Sequence, residues 1–311
     1  MNPSNDTSTA RSAMAGVPAR DIDGIIASPA FATLIDAALA EDVHTGDVTT
    51  EAVIGGDTPI EAHWVAKQDG IVAGLVVAEA VFRHLDPAID WQVKIADGAR
   101  VARGDVLVEM RGTGRAVLSG ERIALNLAQR CSGIATAAAA YVARIQGTNA
   151  QILDTRKTVP GLRALDKWAV AMGGASNHRL GLFDLAMIKD NHIAAAGGIA
   201  QAVARVRAYD ANIGIEVEAA CLADVQQALD EHVEMIMLDN MSPAAMREAV
   251  AHVAGCARLE ASGNITLDNV AEVAATGVDC ISIGALTHSV LAFDISQRVT
   301  HIANHQTKTT S

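Results

Sequence analysis

From residue 151 onward the sequence repeats one unit: a short apolar run, a polar residue at its end, and then an alanine-rich amphipathic stretch. Runs that are apolar at consecutive positions and alternate with helices are typical of parallel strands covered on both faces. Six such runs occur: QILD (151–154), LAMIK (185–189), IGIEVE (213–218), MIMLD (235–239), ARLEAS (257–262) and CISIG (280–284). Because repeated βα units that return to their starting point favour a barrel over an open sheet, we predict an α/β barrel over residues 149–289.

The N-terminal half has a different pattern. Residues 22–41 look helical, and residues 61–114 mix strand-like runs with glycine and aspartate turns, which indicates an antiparallel sheet crossed by a helix. A long helix is predicted over 119–146, with Ser119 as its N-cap. We therefore expect a flexible tail at 1–20, a separate α/β (α+β) sandwich domain at 21–148, and a C-terminal helix at 290–311 that packs back on this domain.

The composition excludes several classes of protein. Acidic residues number 36 against 24 basic ones, and half of the chain is hydrophobic, so we expect a globular protein that binds neither nucleic acid nor anionic membranes. The N-terminal residues lack the apolar segment of a secretory signal, and no apolar run approaches the roughly 18 residues of a spanning helix, which predicts a cytoplasmic location. Four widely spaced cysteines without a CxxC pair are expected to be reduced core residues.

The polar ends of the apolar runs carry the candidate chemistry, since the carboxyl ends of barrel strands meet at one mouth, where such folds place their active sites. A single charge at a strand end is usually a solvated loop residue, but here almost every predicted strand ends in a functional group. The candidates are Asp154, Arg156, Lys157, Lys189, Glu218, Asp239, Ser262, Gly263 and Gly284, with His178 and Arg179 from the loop GGASNHRLGLFD (173–184).

These residue types indicate a substrate with several anionic groups. Arginine matches carboxylate and phosphate with a rigid two-pronged donor, and lysine supplies a compact charge. Glu218 and Asp239 would repel such a substrate unless a cation or sugar hydroxyls stood between them, so we predict a Mg²⁺ site close to both. The glycine turns in EASGN and SIGAL are placed where barrels bind phosphate through backbone N–H groups.

Several longer motifs resemble the quinolinate phosphoribosyltransferase family, the type II phosphoribosyltransferases also called nicotinate-nucleotide pyrophosphorylases (carboxylating). They follow the order of the family from about residue 40 to the C-terminal region, and DTRKTVPG together with NHRLG and IKDNH is very specific. The motifs are EDVHTGDVTT (41–50), KQDGIVAG (67–74), ERIALNLAQRCSGIAT (121–136), DTRKTVPGLRALDKWAV (154–170), NHRLGLFDLAMIKDNH (177–192), IEVE (215–218), IMLDN (236–240), LEASGNI (259–265) and ISIGALTHS (281–289). The family's usual glycine-rich segment before NHR reads MGGASNHR here, and its frequent tyrosine is Phe183.

The resemblance implies a fold and a reaction. The fold is an incomplete α/β barrel of six strands with an N-terminal α/β sandwich, in a homodimer or hexamer. The reaction is that of a glycosyltransferase of NAD biosynthesis: quinolinate and phosphoribosyl pyrophosphate, with Mg²⁺ as cofactor, give nicotinate mononucleotide, pyrophosphate and CO₂.

The resemblance also implies roles for the residues. Quinolinate would be surrounded by Arg122, Arg156, His178, Arg179 and Lys189, with Arg122 reaching from a neighbouring subunit. Ribose, pyrophosphate and the 5-phosphate would be bound by Lys157, Glu218, Asp239, Ser262, Gly263, Gly284 and His288, of which Lys157, Glu218 and Asp239 would be catalytic.

Other functions remain open on the sequence alone. One is that of a ModD-like paralogue with another substrate, and others are a different Mg²⁺-dependent barrel enzyme and a non-catalytic barrel that binds a metabolite. Arg122, Arg156 and Arg179 together favour a dicarboxylate, because a monocarboxylate would leave a buried guanidinium unpaired at a cost on the order of several kcal/mol. The carboxylates of Glu218 and Asp239 argue against a non-catalytic barrel.

Overall fold

The computed structural model describes residues 21–302, and this part of the chain forms two compact units. The barrel unit comprises 138–163 and 174–289, and the sandwich unit comprises 21–137, 164–173 and the residues from Val290 onward. The division falls at Ala138, inside a long helix, whereas residue 148 was the predicted boundary. The tail predicted at 1–20 lies outside the described residues.

The sandwich unit is built on a four-stranded antiparallel sheet in the order β12-β1-β5-β3. Trp64 of β1 and Trp91 of β3 pack edge to face, 5.7 Å between ring centroids, and Phe82 of α4 contacts both. The elements of this unit are α1 (Ile22–Ile26), α2 (Pro29–Asp42), α3 (Val48–Val53), β1 (Pro59–Ala66), β2 (Gly70–Ile71), α4 (Leu75–Leu85), β3 (Asp90–Val93), β4 (Arg100–Val101), β5 (Val106–Thr113), a π-helical turn (Arg115–Ser119) and, after the barrel, β12 (Ile295–Ile302).

The prediction of a helix at 290–311 is wrong for the part of this segment that the structure describes, residues 290–302. Residues Ile295–Ile302 form β12, which pairs antiparallel with β1 from Ala66↔Ile295 to Ile60↔Ile302. The edge of β1 requires hydrogen-bond partners, and β-branched residues favour the extended chain that supplies them. The segment therefore completes the sandwich sheet as a strand.

The barrel unit contains the six strands that the apolar runs predict. They alternate with helices, and helix α5 (Glu121–Arg144) enters this unit from the sandwich unit. In chain order the elements are β6 (Gln151–Leu153), α6 (Arg163–Met172, mostly in the sandwich unit), β7 (Ala186–Ile188), α7 (Asp190–Ala196), α8 (Ile199–Tyr209), β8 (Ile215–Ala219), α9 (Leu222–Asp230), β9 (Met235–Asp239), α10 (Pro243–Val253), β10 (Arg258–Ser262), α11 (Val270–Ala274), β11 (Cys280–Ser282) and α12 (Ala285–His288).

The six strands form one parallel sheet in the order β6-β11-β10-β9-β8-β7. The first two strands of the unit, β6 and β7, stand at opposite ends of this order and do not pair with each other. The outer edge of β6 pairs with the loop at 173–184, through a parallel bridge from Leu153 to Ser176. The predicted incomplete six-stranded barrel, joined to a sandwich with an antiparallel sheet, is therefore confirmed. The loop that carries His178 and Arg179 continues the sheet at its open edge.

The cysteines are free, but only Cys131 and Cys280 are buried. The prediction of four core cysteines is wrong for Cys221 and Cys256, which are exposed because they lie in the turns before α9 and after α10. Within residues 21–302, no helix has the combination of length and apolarity that crossing a membrane requires.

Candidate active site

The predicted strand-end residues of the barrel unit lie at one edge of its sheet. Asp239 and Ser262 are register partners at the ends of β9 and β10. On the neighbouring strand β8, Glu218 pairs with Met237, two residues before Asp239. The N–H of Ile283 donates to the carbonyl of Leu153, which sets Gly284 beside the residues that follow β6. The convergence expected from the strand order is present.

Lys157, Gly284 and His288 form one corner of this edge. A Cβ built on Gly284 would lie 3.1 Å from Lys157 Cδ and 3.1 Å from the His288 ring, so both side chains lie over the bare backbone there. The Oγ1 of Thr287 donates to the Lys157 carbonyl at 2.9 Å and fixes the two loops to each other. The corner offers an exposed ammonium, an imidazole and an accessible peptide backbone, a combination suited to a phosphate group.

The ends of β9 and β10 are held in left-handed backbone. Asn240 has φ +53°, Gly263 +96° and Asn264 +52°. Asn240 Nδ2 donates to Asp239 Oδ2 at 2.8 Å, and Asn264 Nδ2 donates to Asn240 Oδ1 at 3.0 Å. A Cβ on Gly263 would overlap the Asn240 amide, so glycine is required both for its φ and for space. Sequence reasoning missed the two asparagines, whose residue type at a strand end is a signal for left-handed turns.

Lys189 and Glu218 form an ion pair. Lys189 Nζ lies 2.8 Å from Glu218 Oε2, and the lysine side chain is 45% exposed against 17% for the glutamate. The lysine is half exposed and the glutamate is partly exposed, so a ligand in the mouth can reach both. A substrate carboxylate that binds Lys189 would therefore compete with Glu218 for the ammonium.

Arg156 and Arg179 bring two guanidinium groups close together. Burial and then the charge of Arg156 lower the pKa of Arg179, whose Nη1 donates to the carbonyl of Leu185 at 3.0 Å. Within residues 21–302, the buried Nε of Arg156 has no hydrogen-bond acceptor. Two adjacent cations with an unused buried donor are stabilised by a ligand that carries more than one negative charge.

Arg163 links the two loops that carry these arginines. Its guanidinium donates to Thr158 Oγ1 at 3.1 Å, to the Leu180 carbonyl at 3.3 Å and to the Arg156 carbonyl at 3.4 Å. The first and third acceptors lie in the loop after β6, and the second lies next to Arg179. Sequence reasoning missed Arg163, because nothing in its local pattern distinguishes it from an ordinary residue at a helix start.

Asp154 is fully buried and organises the same loop. Its Oδ1 accepts the backbone N–H of His178 at 2.8 Å, and its Oδ2 accepts Asn177 Nδ2 at 2.7 Å. The carboxylate thus fixes the backbone immediately before Arg179. Its role in the structure is to hold the loop at the open edge of β6.

A second feature that sequence reasoning missed lies beneath the mouth. His178 Nε2 is 3.1 Å from Glu216 Oε2 and 3.0 Å from Glu260 Oε2, and both glutamates are fully buried. We call these three residues the acid–histidine cluster. The signal was present in the sequence: each glutamate stands two residues before a strand-end residue, so the period of a strand places both on the same side of the sheet as Glu218 and Ser262.

The acid–histidine cluster shifts the titration of its members. Burial alone would lower the pKa of His178, but hydrogen bonds and charges from Glu216 and Glu260 raise it to about 10. Burial and the charge of Glu260 raise the pKa of Glu216 to about 7. His178 Nδ1 faces the backbone N–H of Arg179 at 2.7 Å, where a protonated Nδ1 would set two N–H groups against each other. This contact opposes the effect of the two carboxylates on the pKa, because it favours the neutral ring that carries its proton on Nε2, the nitrogen nearest the glutamates.

Arg122 belongs to the sandwich unit. It lies in the first turn of α5 and is exposed. The barrel unit taken by itself therefore brings together every predicted site residue except this one. Its predicted role at the quinolinate site stays a prediction.

Comparisons with known proteins agree on one family. The family model described as quinolinate phosphoribosyl transferase, C-terminal domain, matches residues 134–298, and the corresponding N-terminal domain matches 47–132. A tobacco (Nicotiana tabacum) quinolinate phosphoribosyltransferase [decarboxylating] is 44% identical over 286 residues, covering 86% of this chain and 81% of the relative. A chloroplastic nicotinate-nucleotide pyrophosphorylase [carboxylating] of Arabidopsis thaliana is 44% identical over 288 residues, covering 86% and 82%.

A solved structure extends the agreement to three dimensions. NadC from Streptococcus pyogenes superposes with a TM-score of 0.85 at 39% identity, covering 88% of this chain and 97% of that chain. The residue ranges that the two family models match, 47–132 and 134–298, contain residues of both units and the ends of all six barrel strands. This chain belongs to the quinolinate phosphoribosyltransferase family.

Proposed function

We propose that this chain transfers the phosphoribosyl group of phosphoribosyl pyrophosphate to quinolinate with loss of CO₂, giving nicotinate mononucleotide and pyrophosphate. The observation that carries the proposal is the adjacent pair Arg156 and Arg179, of which the first has a buried Nε without an acceptor in the described part of the chain. This pair suits two neighbouring carboxylates on one ring, since each guanidinium can bind a carboxylate through two N–H groups. Membership of the family supports the same substrate.

The quinolinate side of the site is formed by Arg156, Arg179 and Lys189. Lys189 exchanges its Glu218 partner for a substrate carboxylate, so binding releases Glu218 toward the ribose. His178 stands behind Arg179, and its predicted direct contact with the substrate stays a prediction. Together these groups hold the ring in one orientation, and this alone provides a large part of the rate acceleration.

The phosphoribosyl side is formed by the corner and the two glycine turns. Lys157 and His288 bind phosphate charge beside Gly284, and Ser262 and Gly263 complete the 5-phosphate site. Glu218 and Asp239 face the ribose. Their carboxylates and the phosphate oxygens are the oxygen ligands that Mg²⁺ prefers, so the donor set fits a magnesium ion held mainly through the substrate. When bound, Mg²⁺ neutralises charge on the pyrophosphate.

The chemistry follows from these positions. The pyridine nitrogen forms a bond to the anomeric carbon while the bond from that carbon to the pyrophosphate oxygen breaks, and Lys157 stabilises the departing charge. Glu218 and Asp239 stabilise the positive charge that develops on the ribose. The quaternary nitrogen then accepts electron density as the adjacent carboxylate leaves as CO₂, and a proton replaces it on the ring carbon.

One assay tests the proposal against its alternatives. The protein is incubated with phosphoribosyl pyrophosphate and Mg²⁺ and with either quinolinate or nicotinate, and both CO₂ and nicotinate mononucleotide are measured. We expect product from quinolinate and little from nicotinate, because a monocarboxylate leaves one guanidinium unpaired. No product from quinolinate, or equal turnover of nicotinate, would contradict the proposal and favour a paralogue with another substrate.

We also propose a homodimer or larger homo-oligomer in which Arg122 acts in the site of the neighbouring subunit. Its exposed position on the sandwich unit supports this role. Mixing inactive Arg122→Ala and Lys157→Ala subunits should restore part of the activity, because one site of each mixed dimer would be intact. Absence of rescue despite demonstrated subunit exchange would refute a shared site.

A cytoplasmic location is a further proposal, supported by the acidic composition of the chain. The Arabidopsis relative is named as chloroplastic, so the location needs its own test. Fractionation of the source cells followed by immunoblotting should find the chain in the cytoplasmic fraction. Recovery in an organelle or membrane fraction would contradict the proposal.

A further inference from the structure

The acid–histidine cluster extends across the interior of the barrel. Glu216 comes from β8, Glu260 from β10, and His178 from the loop at the open edge of β6. Ser282 of β11 donates its hydroxyl to Glu260 Oε1 at 2.6 Å. The side chains of three strands are thus joined to the loop that carries Arg179, and all of these groups are buried.

Stability alone is a poor reason for two buried glutamates. Removing a carboxylate from water costs several kcal/mol, and apolar residues of similar volume often stabilise a core as well or better. Buried polar groups that are connected to one another instead fix a single arrangement of the chain. We therefore infer that the cluster holds the loop at His178 in one orientation.

The contacts of the ring show how that orientation is transmitted. His178 Nδ1 accepts the backbone N–H of Arg179 at 2.7 Å, which leaves a ring proton on Nε2. That nitrogen is in close contact with both carboxylates, 3.1 Å from Glu216 Oε2 and 3.0 Å from Glu260 Oε2. A divalent cation at this place would require a lone pair on Nε2, which a ring already accepting at Nδ1 does not have. The geometry is that of a ring N–H placed between two carboxylates.

We propose that Glu216 and Glu260 are positioning residues that act through His178 to hold Arg179 in the orientation that binds a substrate carboxylate. The proposal rests on the proposed function, in which Arg179 is a ligand of quinolinate. The chain of contacts runs from Ser282 to Glu260, from Glu260 and Glu216 to His178 Nε2, and from Nδ1 to the backbone of Arg179. None of the four groups behind Arg179 needs to touch the substrate.

The experiment measures the binding of each substrate separately. Glu260→Gln keeps the acceptor for Ser282 but turns an amide N–H toward His178 Nε2, so that two donors face each other. We expect quinolinate to bind about tenfold more weakly or worse, the range of a lost hydrogen bond to a charged group, with phosphoribosyl pyrophosphate binding changed by less than about twofold. Glu260→Asp, which keeps a carboxylate, should recover part of the loss.

A double-mutant cycle tests whether the effect passes through Arg179. In the Arg179→Ala background, Glu260→Gln should weaken quinolinate binding no further, because the group it positions is already absent. Val225→Ala removes buried volume from α9, a helix that carries no member of the cluster, and serves as the control for lost stability. This control should leave both substrates equally bound once the protein is folded.

Three results would overturn the proposal: additive effects of Glu260→Gln and Arg179→Ala, equal weakening of both substrates, or a stoichiometric metal in the purified protein that Glu260→Gln removes. Failure of the proposed function would look different. The unaltered protein would then fail to bind quinolinate at all, whatever the state of the cluster.

Discussion

Replacing Asp154 by asparagine removes a charge from the fully buried residue that fixes the loop before Arg179. The two carboxylate oxygens accept from the His178 backbone N–H at 2.8 Å and from Asn177 Nδ2 at 2.7 Å. Asparagine has a single acceptor oxygen, so its amide N–H would face one of these donors. A hydrogen bond to a charged group contributes about 1.5–3 kcal/mol, and a buried donor left without an acceptor costs about 1–3 kcal/mol.

We therefore expect Asp154→Asn to destabilise the loop by about 2–4 kcal/mol, since the remaining bond also becomes a neutral one. Amide hydrogen exchange over residues 176–180 should become at least about tenfold faster. The quinolinate KM should rise more than the phosphoribosyl pyrophosphate KM, because the loop carries Arg179. Asp42→Asn, which removes the same charge from an exposed residue of α2, is the matched control.

The reasoning would be refuted if Asp154→Asn and Asp42→Asn had the same exchange rates and the same two KM values within error. The Asp154 hydrogen bonds would then not be what holds the loop. An equal rise of exchange across the whole barrel unit would point to general destabilisation. Only a change concentrated at 176–180, with a selective loss of quinolinate affinity, agrees with the contacts.

Three further predictions follow from the site and the cysteines. Arg163→Lys keeps the charge but loses most of the bonds to the loops after β6 and near Leu180, so the quinolinate KM should rise about tenfold in steady-state assays. Gly263→Ala forces an alanine to φ +96° against the Asn240 amide, and its phosphoribosyl pyrophosphate KM should rise more than its quinolinate KM. A disulfide reagent at pH 8 should modify Cys221 and Cys256 quickly and the others only after unfolding, since both other thiols are buried and burial raises the pKa of Cys280 to about 12.

Each of these predictions has a control in the same chain. Arg247→Lys changes an exposed arginine whose acceptor is 4.0 Å away, and it should leave both KM values unchanged. Gly147→Ala has a similar φ of +86° but open space around it, so it separates backbone strain from overlap at Gly263. The double variant Cys221→Ser, Cys256→Ser should lose the fast phase of labelling. Matching results for a variant and its control, or a fast phase in the double variant, would contradict the corresponding argument.

The fold class and most of the candidate site could be predicted from the amino-acid sequence. Largely apolar runs of strand length that alternate with helices specify a parallel barrel, because strands covered on both faces are apolar at most of their positions. The strand order then brings the residues after each run to one mouth, so Lys157, Glu218, Asp239 and Gly284 could be assigned without coordinates.

Tertiary structure alone decided which groups hold the site in place. Glu216 and Glu260 contact His178 across the barrel, Asp154 fixes its backbone, and Arg163 joins two loops. These contacts join residues that are far apart in sequence, and a hydrogen bond depends on angles and distances that periodicity does not encode. The strand at Ile295–Ile302 also depends on a contact between residues that are far apart in sequence. It is extended because it pairs with the edge of β1, more than two hundred residues earlier in the chain.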